Sequence, residues 1–189
     1  DGNIMGKIYY VMGKSASGKD TIYKRLVKEL PEFGTVRMYT TRPIRDGETN
    51  GVEYIFTDEK QLQTMKDAGK VIECRTYDTI YGPWSYFTAD DGQIDLGSGS
   101  YLMMGTLESY EKLCSYYGAE VMVPLYIHVE DRIRLQRALD RENTQKNPKY
   151  AEMCRRFLAD EKDFAKERLD QCGIRKQYEN TGLEPCKIG

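Results

Sequence analysis

Histidine is almost missing from this chain: His128 is the only one in 189 residues. One imidazole excludes a histidine-based zinc centre, and in the apolar stretch 121–129 it reads as a structural residue. Cysteine offers no substitute, because the five (Cys74, Cys114, Cys154, Cys172, Cys186) are dispersed and form no C-x-x-C pair. With no signal-peptide pattern in its first residues, that odd, scattered set predicts reduced thiols in the cytoplasm. Long apolar runs are absent, so no membrane span is expected. Charge of one sign is not in excess: 28 Lys and Arg face 30 Asp and Glu, a net −2, which argues against a broad basic face for nucleic acid. Repeats, low-complexity tracts and heptads are missing too. The remaining class is a single domain long enough to bury a proper core.

What is present begins with Gly13-Lys14-Ser15-Ala16-Ser17-Gly18-Lys19-Asp20-Thr21, a glycine-rich phosphate-binding loop. It follows a short apolar strand at 7–12 and precedes a helix with Ile22, Leu26, Val27 and Leu30 at helical spacing. That order turns successive N–H groups and the positive end of the helix dipole toward one concavity. Lys19 adds a mobile cation for the terminal phosphates of a triphosphate. Asp20 stands where a Ser or Thr usually follows the lysine, with Thr21 one place later.

Residues 35–40 are predicted as a second strand, running into a turn-rich loop through Gly51. Between 52 and 88, short strands (52–56, 71–75, 81–87) surround one helix at 58–68 and read as a small, mostly antiparallel insertion. Strand and helix then alternate: strand 101–105, helix 106–117, strand 121–129 and a helix from 130 that breaks at 143–148. A long helix at 150–171 and a last strand at 174–179 complete the pattern. Alternation behind a phosphate loop predicts an α/β fold with a central parallel sheet covered on both faces.

Arginines form two groups. Arg42 and Arg45, three apart on the Pro43-stiffened loop, are placed to converge on one phosphate, although a solvated basic loop would look the same. Arg137 and Arg141 share a helical face at i, i+4, and Arg156 returns across the 143–149 break. Like charges held together imply an anion between them.

These features together resemble the guanylate kinase family. The resemblance is carried by the loop at 13–21, by Thr40-Thr41-Arg42-Pro43-Ile44-Arg45-Asp46-Gly47-Glu48 with Gly51-Val52-Glu53-Tyr54, by Val71-Ile72-Glu73, and by Tyr81-Gly82. Arg137, Arg141 and Arg156 look like that family's lid, and Tyr178-Glu179-Asn180 with Gly182-Leu183-Glu184 like its final strand. The likeness implies a P-loop NTPase-type three-layer fold with core 4–39, 89–136 and 157–189, a monophosphate-binding insertion at 40–88 and a helical lid at 137–156. It implies transfer of the ATP γ-phosphoryl group to GMP with Mg2+. Residues 13–21 and Asn180 would bind ATP; Arg42, Arg45, Tyr54, Tyr81 and Thr106 would bind GMP, and Glu73 would read the base. Lys19, Arg42, Arg137, Arg141 and Arg156 would carry the chemistry.

The chain also departs from that pattern. Asp20 either reaches the metal, directly or through water, or turns away to cap its helix. No carboxylate precedes Glu108 at the end of the 101–105 strand, leaving Thr106 to offer a hydroxyl near Gly105. Met38 and Pro83-Trp84 replace hydroxyl residues that help read the base. Two other readings stand beside GMP phosphorylation: a kinase of this fold for another phosphorylated acceptor such as a sugar phosphate, and a binding module that has lost catalysis. Neither nucleic acid nor a membrane is an expected partner.

Overall fold

The first strand, β1 (Ile8–Gly13), is buried along nearly its whole length in the computed structural model, which describes residues 5–181. Burial on both faces is what a central parallel strand requires. The loop after it opens helix α1 (Lys19–Glu29), which stops at Leu30 because Pro31 disfavours helical backbone in the residue before it.

The predicted strand at 35–40 is two short strands in different sheets, β2 (Gly34–Thr35) and β3 (Tyr39–Thr40). A period-2 pattern in sequence does not reveal that the chain changes sheet between Thr35 and Tyr39. Next come β4 (Ile55–Phe56), α2 (Glu59–Asp67), β5 (Val71–Thr79) and β6 (Gly82–Ala89). They are followed by β7 (Tyr101–Met104), α3 (Leu107–Tyr117) and a 3-10 turn at Ala119–Val121. The chain continues through β8 (Met122–His128), α4 (Asp131–Asn143), α5 (Tyr150–Asp163), α6 (Lys166–Gln171) and β9 (Gln177–Glu179). The residue-4 boundary and Gly182, Leu183, Glu184 and Cys186 lie outside the described residues.

A second correction concerns the long helix expected at 150–171, which breaks at Phe164–Ala165 into α5 and α6. No glycine or proline marks the spot. Phe164 leaves helical geometry to stack on Tyr126 of β8 at 5.7 Å and is buried there. The break thus coincides with a stacked aromatic contact between α5 and β8.

A five-stranded sheet has the order β2-β7-β1-β8-β9, with β2 parallel to β7 and β8 parallel to β9. A second sheet has the order β4-β3-β6-β5, in which β3 runs parallel to β4 and antiparallel to β6, and β5 and β6 form a long hairpin. The fold is therefore an α/β fold with a parallel sheet and a second, mixed sheet.

Two compact units divide the described chain. One holds residues up to Ile8, Glu32–Met103 and Lys112–Met122; the other holds Tyr9–Pro31, Met104–Glu111 and the chain from Val123. In the first unit, α2 is capped by Asp58, whose side chain accepts from the Gln61 N–H at 2.8 Å. It buries Leu62 against Phe87 and Ala89, with Tyr39 stacked on Phe87 at 4.9 Å. In the second unit, α1 lays Ile22, Tyr23 and Leu26 on Val11, Leu125 and Ile127. His128 pairs with Glu179 at 2.9 Å, tying β8 to β9. No helix among the described residues is long and apolar enough to cross a membrane.

Candidate active site

In the second unit, the loop from Gly13 to Lys19 is shaped by close approach and by left-handed backbone. A Cβ on Gly13 would lie 2.8 Å from both the Ile127 carbonyl and the Ser17 hydroxyl, so the chain passes β8 there without room for a side chain. Ala16 (φ 62°) and Gly18 (φ 82°) both take left-handed backbone. Such alternation turns N–H groups toward a common concavity, the geometry that binds anions. Ala16 accepts a conformation that glycine adopts without cost, the kind of local strain found at binding sites. The Ser17 hydroxyl is buried and has no hydrogen-bond partner among the described residues.

Lys19 opens α1 with its Nζ 3.6 Å from the Asp20 carboxylate. Asp20 is 68% exposed at its side chain and sits in the first helical turn, where the dipole favours an acid. Thr21 is exposed beside it. Asn180 donates from Nδ2 to the Ser17 carbonyl at 3.0 Å, and Arg137 donates to the Asn180 carbonyl at 3.2 Å and to the Ala16 carbonyl at 3.5 Å. Asn180, expected to bind ATP, and Arg137, expected to carry the chemistry, thus both bond to the backbone of this loop.

Lys14 and Ser15 are held from α5: Lys14 pairs with Glu161 at 2.7 Å, and the Ser15 N–H donates to Asp160 at 2.8 Å. The residue that organises this contact, Arg134, was not among those expected. Only 2% exposed, it donates to the Ser15 carbonyl, meets Asp131, Asp160 and Glu161 within 3.5 Å, and lies 4.4 Å over the Phe157 ring. In sequence it is one arginine of a run, and nothing local separates it from its solvent-facing neighbours. Arg141 and Arg156 line a cavity of about 40 Å³ with Ser15, Ala16 and Phe157; Arg156 also pairs with Glu152 at 3.3 Å. Thr106 acts as a cap, its hydroxyl accepting from the Ser109 N–H at 3.2 Å while its carbonyl accepts from the Tyr10 hydroxyl.

In the first unit, Arg42 is 4% exposed and makes a two-pronged ion pair with Glu48, at 2.8 and 2.9 Å. Its guanidinium also lies 5.6 Å from the Tyr54 ring centre and 5.5 Å from that of Phe56. Glu48 further accepts from the Arg45 N–H, at 2.9 Å. Hydrogen bonding to Arg42 holds the Glu48 carboxyl down at about 2, and the same bond raises Arg42. Burial pushes the Tyr54 phenol up. The motif's final glutamate therefore fixes its first arginine, a role legible in the G-E ending but not assigned from it. Arg45 is exposed, and Tyr81, 77% exposed, stacks on Trp84 at the hairpin end.

Glu73 is 5% exposed on β5. It accepts from the Thr88 hydroxyl at 2.8 Å and from Arg75 Nε at 3.2 Å. Arg75 Nη2 lies 3.7 Å from the Met38 sulfur, so three side chains that sequence reading treated separately or passed over adjoin one another. Among the described residues, no cluster of three or more Asp, Glu, His or Cys forms a metal cage. An oxygen-preferring ion bound mainly through phosphates needs none.

The family model for guanylate kinase matches residues 5–85. Guanylate kinases from Legionella pneumophila (strain Lens) and Coxiella burnetii (strain RSA 493 / Nine Mile phase I) are each 37% identical to the chain, over 78 and 76 residues. Those stretches are 41% and 40% of this chain, and the chain spans only 37% of the length of each relative. A crystal structure of guanylate kinase from Anaplasma phagocytophilum shares the fold at TM-score 0.60, covering 94% of this chain and 78% of that one at 16% identity.

Proposed function

We propose that this chain, whose sequence match and fold both support the guanylate kinase family, transfers the γ-phosphoryl group of ATP to GMP, giving ADP and GDP. The observation that carries this reading is the reach of the sequence match. Residues 5–85 include the phosphate loop, the Arg42–Glu48 segment and Glu73, the parts that would recognise donor phosphate, acceptor phosphate and base.

An acceptor phosphate oxygen attacks the γ-phosphorus, and the bond to the β–γ bridging oxygen breaks, leaving ADP. The acceptor oxygen is already deprotonated, so no general base is required. The protein's task is to hold two anions together against repulsion. Lys19 and the loop N–H groups hold the triphosphate, with the unpaired Ser17 hydroxyl as a further donor. Arg42, fixed in plane by Glu48, and Arg45 hold the acceptor phosphate, with Tyr54 and Tyr81 beside it. Arg137, Arg141 and Arg156 add positive charge, and their segment excludes water. Asp20, an exposed hard-oxygen donor at the loop's end, fits Mg2+ directly or through water. The ion supplies further charge neutralisation when bound with ATP. Glu73 accepts the adjacent N1–H and amino groups of guanine, whereas adenine presents an acceptor at N1.

The test is a coupled assay of ADP formation with GMP, AMP, CMP, UMP and ribose 5-phosphate, with Mg2+ omitted and restored. GMP is expected to exceed every other acceptor at least tenfold, and only with Mg2+. Faster turnover with the sugar phosphate assigns a different acceptor. No turnover with any of them, in protein that binds ATP, leaves a binding module.

A further inference from the structure

We infer that the second unit holds a further ligand site, on the sheet face opposite α1: the cavity formed by β8, α6 and the chain entering β9 binds a small phosphate monoester with a hydroxylated body. The inference goes beyond the kinase reading and does not depend on it.

Strand alternation places the cavity. Val11, Leu125 and Ile127 pack with Ile22, Tyr23 and Leu26 of α1. Tyr126 and His128, the alternate residues of β8, turn to the other face, where they line a cavity of about 350 Å³. Small-molecule pockets span about 300–1,000 Å³, so this one has room for more than a lone anion. Phe164 at the end of α5, Leu169 of α6 and Ile174 supply apolar wall, and Lys14 of the phosphate loop joins them. All of these residues belong to the second unit.

Charge identifies the ligand. Lys166, Arg175 and Lys176 are exposed cations lining the cavity, and none forms an ion pair with a described residue. Lys176 lies instead 4.9 Å over the Tyr178 ring. Lys14 and His128 are already matched, by Glu161 and Glu179. Asp170 is the one acid in the wall, which leaves two positive charges in excess there, in a chain whose net charge is −2. A cleft lined by one sign of charge concentrates counter-ions. A phosphate monoester carries about −1.5 to −2 at pH 7 on three acceptor oxygens, enough to meet all three cations. A carboxylate brings a single charge on two oxygens, and the arginine fork suits phosphate geometry. The second mark is the Tyr126 hydroxyl. This residue is 3% exposed, yet its hydroxyl bonds to no described residue. Burial pushes the phenol up to about 12, so it remains a donor at neutral pH. A buried donor without a partner is costly, and an oxygen on the ligand body satisfies it. The free anion would leave that donor and the apolar wall unused.

The test is calorimetric titration of the full chain, at low ionic strength, with glucose 6-phosphate, inorganic phosphate and glucose as probes. Lys166→Gln with Arg175→Gln removes two of the cavity's cations. Lys24→Gln with Lys28→Gln removes the same charge from exposed positions of α1, and Tyr126→Phe removes the hydroxyl alone. The wild-type chain is expected to bind the ester about fivefold or more tighter than inorganic phosphate, with no measurable binding of glucose. The cavity double variant should weaken the ester about tenfold or more, the α1 double variant less than about twofold, and Tyr126→Phe about threefold or more. The four substituted cations are exposed, so both double variants are expected to melt with the wild type. Equal losses in the two double variants would reveal only the general field of the protein. An undiminished affinity in the cavity variant would place binding elsewhere, and one in Tyr126→Phe would remove the buried donor. Inorganic phosphate bound as tightly as the ester would leave an adventitious ion only. Each of these four results overturns the inference, as does a wild-type chain that binds no ester. Turnover is not read, so the kinase reading stands or falls by its own assay.

Discussion

Glu48 binds its partner in a way that acid should reveal. Its carboxyl sits at about 2 against an ordinary 4.5, chiefly because Arg42 donates two hydrogen bonds to it. A depressed folded-state value means that the stabilisation is complete above about 4.5 and fades as pH falls through about 2. Urea midpoints of wild type and Glu48→Gln are expected to differ most at neutral pH and to converge as pH drops through that window. A gap that stays constant would show that the ion pair does not carry the effect. Lys19→Ala is the second expectation at this scale: turnover falls by about 10²-fold or more while GMP affinity stays within a few-fold, measured by kcat and by direct titration. The two residues also show what is readable locally. Lys19, Gly13 and Gly18 announce themselves because a phosphate loop is a property of consecutive backbone. Glu73 with Arg75, and Arg134 with Asp160 and Glu161, are unreadable as pairs because the fold, not the spacing, decides which arginine of several is turned inward.

At the scale of elements, α4 and α5 meet through that inward arginine. Replacing Arg134 by Met leaves Asp160 and Glu161 without their shared partner. The cost expected in urea unfolding is about 2 kcal/mol, below the roughly 3–5 kcal/mol of a fully buried pair, because Asp131 and Glu161 keep contact with water. ATP affinity should fall with it, since Arg134 and Asp160 both hold Ser15; unchanged ATP binding in a folded variant would remove the link. The α5–α6 break belongs here too. Phe164→Ala deletes the stack on Tyr126 and is expected to cost about 3 kcal/mol, read from the same unfolding curves. No glycine or proline marks 164–165 in the sequence, and the contact of Phe164 with Tyr126, distant in sequence, is visible only in the fold. The divided strand at 34–40 is the parallel case in the sheets, where two short pairings in different sheets look like one longer run.

For the whole molecule, alternating strands and helices around a phosphate loop were enough to indicate a parallel α/β sheet, because each βαβ step leaves few ways to pack. The second sheet was legible in its hairpin and less so in β4, where only Ile55 and Phe56 pair with β3. Ligand linkage gives a test at this scale. ATP at about 100 times its Kd adds about 2.7 kcal/mol, which for a chain of this size raises Tm by about 5–10 °C. Lys19→Ala should lose most of that rise, and a wild-type melting curve unmoved by ATP would contradict the phosphate-loop reading.

The placement of β3 also bears on how the protein is made. β3 leads directly into the arginine segment, yet one of its two neighbours is β6, whose residues are synthesised later. At roughly 5–20 residues per second, the ribosome leaves the Thr40–Glu48 stretch waiting for seconds before Ser85 emerges to receive the Thr41 N–H. The β5–β6 hairpin, local in sequence, closes within about 10 μs once both strands exist. Pulse-labelled hydrogen exchange during refolding should likewise find the hairpin amides protected before that of Thr41, so that the arginine segment is fixed after the hairpin it rests on.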